Sequence, residues 1–130
     1  LRPRLKASEA VGLVPVVCEA VVEVLQELYG LKAEIKHPND VLVNGRKICG
    51  ILSKMRTTGE SIEFVVVGVG VNANFKVKKV LPEELRKTAT SIEDELDRKV
   101  RVAELFRALL EKIEKLYDLY VTERCASSGS

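Results

Sequence analysis

The chain has 130 residues, which is one domain on length alone and enough for a modest core. Hydrophobic residues at 46% exclude a disordered chain. A net charge of +2, with no basic block interleaved with aromatics, points away from nucleic acid. No apolar run reaches membrane-spanning length, no secretory pattern opens the sequence, and the three cysteines and one histidine lack metal-ligand spacing, so neither a membrane nor a metal site is expected.

Residues 10–29 form the first predicted helix. Val17, Val21, Val24 and Leu28 recur at helical spacing, and Glu19, Glu23 and Glu27 line another face. Pro15 belongs in its first turns, where a missing N–H is tolerated, and Gly30 is its natural C-cap. Strands are expected over 33–36, 41–43, 47–55 and 62–72. Between the second and third, Asn44-Gly45 predicts a type I′ hairpin, because both turn positions need φ > 0. Thr57-Thr58-Gly59 is expected to turn the next hairpin. Val65 to Val69 is apolar on both faces, the pattern of a central strand. Pro82 suits the first turn of a short helix, and Ser91 caps another through Asp94. A long amphipathic helix follows over 102–120, with Leu105, Leu109, Ile113, Leu116 and Tyr120 as its stripe. Cys18 in the helix and Cys49 in a strand read as small buried hydrophobes of a reducing cytosol. The expected fold class is α+β: a mixed, largely antiparallel sheet covered by helices on one side. The domain spans 1–122, and 123–130 is a small, polar tail expected to be disordered.

The chemistry-bearing stretch is Lys36-His37-Pro38-Asn39-Asp40, followed by Lys47 and Gly50-Ile51-Leu52. Asp40 ends the loop entering one strand of the hairpin and Lys47 begins the other, so a carboxylate and an ammonium are placed to meet at one mouth of the sheet. A fixed cation beside a base suits an anionic substrate and an amine or hydroxyl nucleophile. On residue types alone, Pro38-Asn39-Asp40 is more simply an ordinary turn, and Lys47 a solvated strand-end lysine beside Arg46. Gly50, and Gly68 with Gly70 on one face of a later strand, leave bare backbone where a ligand can lie. Gly68-Val69-Gly70 is not a dinucleotide loop, since neither a third glycine nor a helix follows it.

These blocks resemble the biotin protein ligases, in which Lys-Trp-Pro-Asn-Asp precedes a hairpin, a Lys and Gly-Ile-Leu. A second family block, an apolar strand ending Gly-x-Gly-x-Asn, matches Val65 to Asn72. A third matches Leu81-Pro82-Glu83-Glu84-Leu85 and Ala89-Thr90-Ser91-Ile92. Leu1-Arg2-Pro3 looks like the end of the family strand before the first long helix. The resemblance implies a sheet related to the class II aminoacyl-tRNA synthetase catalytic domain, here incomplete.

It also implies a reaction. Biotin and ATP, with magnesium, form biotinyl-adenylate, and a lysine of a biotin carboxyl carrier protein then takes the biotin. Carried over by position, Lys47 binds the biotin carboxylate and adjacent phosphate, and Asp40 helps activate the acceptor lysine. Gly50, Ile51, Leu52, Gly68 and Gly70 form the biotin groove, Asn39 and Asn72 lie at the nucleotide, and Phe75 to Thr90 is a mobile loop over the adenylate. Lys76, Lys78 and Lys79 in that loop read equally as a solvated run. His37 replaces the usual Trp, and Lys54 stands where an acidic residue commonly follows. The family's N-terminal glycine- and arginine-rich segment and its C-terminal small barrel are expected to be missing. The resemblance thus implies a cytoplasmic protein, and this chain is expected to pair with that missing N-terminal segment or with itself. A lipoate–protein ligase and a non-catalytic remnant or interaction subunit are the alternatives.

Overall fold

A computed structural model describes residues 13–59 and 61–128, with backbone only for 61–63 and 124–128. The first helix, α1 (Leu13–Tyr29), carries Pro15 on an exposed early turn and buries Val17, Cys18, Val21, Val24 and Leu25. The expected start at Ala10 and the Leu1-Arg2-Pro3 strand end lie outside the described residues. Gly30 ends α1 with φ +67. Its N–H donates to the Gln26 carbonyl and the Leu31 N–H to the Leu25 carbonyl, at 2.9 and 3.1 Å. The first of these is the αL C-cap bond, from the residue after the cap to the carbonyl four back, which a left-handed residue permits.

Four strands follow: β1 (Ala33–Lys36), β2 (Asp40–Val43), β3 (Arg46–Thr58) and β4 (Ser61–Val71). They pair in chain order, each antiparallel to the last. The turn between β2 and β3 has φ 53 at Asn44 and 75 at Gly45, as a type I′ hairpin requires. Thr57 and Thr58 stay in β3 instead of turning, because β-branched residues suit a strand; Gly59, with φ +63, makes the turn.

The central position expected for β4 is not found among the described residues, where β4 pairs with β3 alone. Its two apolar faces have different fates. Val65, Val67, Val69 and Val71 pack against the core, while Val66 is 55% exposed. The run of valines therefore reflects one buried face plus an exposed one, not double burial.

Beyond the sheet come α2 (Val77–Val80), a 3-10 turn (Glu83–Leu85) entered from Pro82, α3 (Ile92–Leu96) and α4 (Val102–Ser128). Ser91 caps α3: its Oγ accepts from the Asp94 N–H at 3.0 Å, a contact of about 1 kcal/mol. The last helix continues past Tyr120 through Ser128, into residues expected as a disordered tail. Glu123, Arg124 and Ala126 are good helix formers and nothing there breaks the ladder. Residues 129 and 130 lie outside the description.

Helices α1 and α4 lie together on one face of the sheet. Val41, Val43, Ile48, Cys49 and Ile51 bury against them, joined by Ile92, Val100 and Leu105. Among the described residues, nothing covers the face of β3 and β4 that carries Gly50, Leu52, Gly68 and Gly70. Among the described residues, no helix is long and apolar enough to cross a membrane.

Candidate functional site

The open face is made by a bulge. Val41 faces Cys49 across the β2–β3 ladder, but Leu42 faces Lys47, so Ile48 is an extra residue on β3. Ile48 and Cys49 are consequently buried in succession, at 0% and 1% exposure. Strict alternation would have sent Lys47 into the core beside Cys49 and Ile51; the bulge re-aims it to the open face.

There the Lys47 ammonium meets Asp40 at 3.2 Å, with the two side chains 50% and 28% exposed. Asp40 sits directly across from Gly50 in the ladder. A Cβ on Gly50 would lie 3.2 Å from Lys47 Cε and 3.3 Å from its Nζ. Gly50 is thus the seat over which the lysine arm crosses. Gly50 faces Gly70 in turn, and Leu52 faces Gly68. At Gly68 and Gly70 an added Cβ would meet only backbone oxygen, at 3.9 Å. Together these residues line a cleft of about 550 Å³ with a cationic mouth and a bare floor.

The structure brings all nine expected residues to this cleft, with differences in what each contributes. Ile51 is 1% exposed, its side chain in the core, so only its backbone lines the cleft. Leu52, 72% exposed, offers its side chain to the open face. Asn39 Nδ2 donates to the Ile51 carbonyl at 2.8 Å, and the Ile51 N–H donates to the Asn39 carbonyl. Asn72 Nδ2 donates to the Thr90 carbonyl at 3.0 Å. Both amide nitrogens are therefore engaged in holding backbone at the edge of the cleft.

Two contributors were missed in the sequence. One is the strap Thr88-Ala89-Thr90. It runs parallel to β3 where β4 ends: Lys47 N–H donates to the Thr88 carbonyl at 2.8 Å, and Thr90 N–H to the Lys47 carbonyl at 2.9 Å. In the sequence Ala89-Thr90-Ser91-Ile92 reads as a family block and Ser91 as a helix cap, with no sign that the chain just before that cap pairs with β3. So the region 75–90, expected as a mobile loop, holds two short helical turns and a strand-like strap.

The other is Cys49, which lines the cleft. Burial, and secondarily repulsion from Cys18, push its thiol up to about 12 from an ordinary 9.0; Lys47 pulls the other way. Burial first also raises Cys18. The unfolded chain releases these protons near its ordinary value, while the folded chain keeps them. Stability is then full below about pH 9 and declines as pH rises from there toward about 12. We expect the urea midpoint to fall across that window, and less steeply in Cys49→Ala; equal slopes in the two proteins would contradict this origin.

Among the described residues, no group of three or more His, Cys, Asp or Glu could hold a metal ion. The lipoyl protein ligase A/B catalytic domain family matches this chain over residues 4–114. The Bacillus subtilis bifunctional ligase/repressor BirA is 34% identical over 122 residues, covering 94% of this chain and 37% of the relative. The biotin–[acetyl-CoA-carboxylase] ligase of Paracoccus denitrificans is 42% identical over 74 residues, 55% of this chain and 31% of the relative. The chain thus spans little more than a third of the curated relatives it matches. The biotin protein ligase of Aquifex aeolicus, solved in complex with biotin and ATP, superposes with a TM-score of 0.73 at 24% identity, covering 91% of this chain and 49% of the other, a likeness of fold.

Proposed function

Because this chain belongs to the lipoyl protein ligase A/B catalytic domain family, we propose that its cleft holds biotin for ATP-dependent activation and transfer to a protein lysine. The observation that carries this reading is the Lys47 ammonium, held by Asp40 over Gly50 at the mouth of a glycine-floored groove. The biotin carboxylate lies against Lys47 and its chain runs over Gly70 and Gly68. A carboxylate oxygen attacks the α-phosphate of ATP, pyrophosphate leaves, and a mixed anhydride results. Both reactants are anions, so a preorganised cation at their meeting point lowers the barrier most. The acceptor amine then attacks the acyl carbon, AMP leaves, and Asp40 takes the ammonium proton. Asn39 and Asn72 lie beside the adenosine. Magnesium would come with the triphosphate and would supply further charge neutralisation.

The remainder of each relative lies outside the match, so the complete reaction belongs to a protein carrying those parts as well. Among the described residues β4 pairs with β3 alone and carries exposed Val66 and Phe64, so we place their attachment on the apolar surface there. For the 130-residue chain on its own we expect self-association through that surface, read as a concentration-dependent mass in sedimentation. A cytoplasmic setting supplies ATP and keeps Cys18 and Cys49 reduced. The acceptor is a carrier domain presenting one lysine, as a biotin carboxyl carrier protein does.

Calorimetry of this chain with biotin, biotinyl-adenylate and lipoate tests the ligand. We expect weak binding of biotin, tighter binding of the adenylate, and none of lipoate; the reverse order for biotin and lipoate would move the reading to lipoylation. Turnover is measured in a chimera in which this segment replaces the matching part of the Bacillus subtilis relative. There Asp40→Asn should slow transfer to the acceptor on the order of 10²-fold and adenylate formation much less, since an amide cannot take the proton. Single-turnover kinetics separate the two steps, and equal losses in both would remove Asp40 from the transfer step.

A further inference from the structure

The position of Lys47 depends on more than its own strand. The Lys47 main chain lies between the Asn44-Gly45 turn and the strap, and one side chain joins those two pieces. Glu95, on the short α3, accepts from Asn44 Nδ2 through Oε1 and from Thr90 Oγ1 through Oε2, both at 2.8 Å. Thr90 is 1% exposed and is the residue whose N–H donates to the Lys47 carbonyl. The Glu95 carboxylate therefore spans from the hairpin tip to the strap with one oxygen for each. Neither oxygen touches the cleft, whose lining excludes Glu95.

We propose that Glu95 is a positioning residue: by tying the β2–β3 turn to the strap it sets where the Lys47 arm enters the cleft. Gly50 makes room for that setting. The lysine arm passes so close to the Gly50 backbone that a Cβ there would stand within 3.2 Å of it, and Asp40 fixes its far end. A shift of the main chain at Lys47 therefore moves the ammonium off its seat; the bulge at Ile48, which interrupts the ladder to β2, leaves the strap as the firmer of its two neighbours. The functional consequence rests on the reading of Lys47 as the carboxylate-binding group.

The test uses the full chain with Glu95→Ala, which removes both bonds, and Glu95→Gln. In the latter the amide oxygen still accepts from Asn44 and the amide nitrogen donates to the Thr90 hydroxyl. Amide exchange is followed by NMR. In Glu95→Ala, exchange at Lys47 and Thr90 should quicken about tenfold, while Val24 in α1 and Val69 in β4 change less than about twofold. Glu95→Gln should restore most of the protection. Biotin affinity measured on the same proteins should fall about tenfold in Glu95→Ala and recover in Glu95→Gln. Unchanged exchange at Lys47 and Thr90, or uniform acceleration throughout the chain, overturns the proposal. So does faster exchange with unaltered biotin affinity. If the unaltered chain binds no biotin at all, the ligand assignment fails, and the exchange pattern still decides whether Glu95 holds Lys47.

Discussion

Lys47→Ala should reduce adenylate formation in the chimera by about 10²-fold or more while leaving the fold intact. The two effects separate because they draw on different interactions. The ion pair with Asp40 is half in solvent, at 50% and 28% exposure, and such pairs contribute about 0–1 kcal/mol to stability. In the reaction the same ammonium would face a carboxylate and a phosphate brought together, where one preorganised group contributes about 3–4 kcal/mol. Lys47→Arg should not rescue. The planar guanidinium presents its donors in a fixed fork, whereas the ammonium is a compact point charge that the Asp40 contact places at one spot. The measurement is pyrophosphate release under saturating ATP, with the urea midpoint as the folding control. Retained release in Lys47→Ala would take the lysine out of the chemistry.

Most of the fold was legible because its signals are local. Asn44-Gly45 forces one turn geometry, Gly30 ends a helix wherever a left-handed residue is needed, and Ser91 meets Asp94 within a single turn. The meeting of Asp40 and Lys47 was expected from the hairpin, but the structure achieves it differently: Asp40 lies across from Gly50 and Lys47 across from Leu42, and the lysine arm reaches over Gly50 to the carboxylate. What escaped notice depends on residues far apart in sequence or on departures from period. Alternation alone would bury Lys47; only the bulge at Ile48 turns it outward, and no single residue type announces a bulge that lacks glycine. Gly50 read as ligand space, yet the structure fills that space with the lysine itself. The roles of Thr90 and Glu95 require the strap to lie against β3, across more than forty residues of chain, and nothing in Ala89-Thr90-Ser91 as a string says that it does. The apolar run at Val65 to Val69 misled for the opposite reason: its pattern is strong, but exposure of Val66 depends on what stands beside β4.

Gly70→Val should abolish biotin binding and leave the sheet at least as stable as before. An added Cβ at this position meets nothing closer than the Gly50 carbonyl oxygen, at 3.9 Å, so the strand has room for it. Valine also suits a strand, and replacing glycine removes the entropy glycine loses on folding, a gain of about 0.5–1 kcal/mol. The isopropyl group would nonetheless stand on the open face, directly across from Gly50 and beside the lysine seat, in the space assigned to the ligand's chain next to its carboxylate. Filling that floor excludes the ligand without touching Lys47 or Asp40. Gly50→Ala makes the useful contrast. Its methyl would stand 3.2 Å from Lys47 Cε and 3.3 Å from its Nζ, so the arm must give way by a few tenths of an ångström, which should weaken charge recognition while leaving the Gly68–Gly70 floor open. Calorimetry with biotin and with biotin methyl ester separates the two. Gly70→Val should lose both ligands, on the order of 10²-fold or more, as a filled pocket does. Gly50→Ala should lose the acid and keep the ester, which never needed the ammonium. If Gly70→Val folds with a raised urea midpoint and still binds biotin as before, the ligand does not lie on this face of β4.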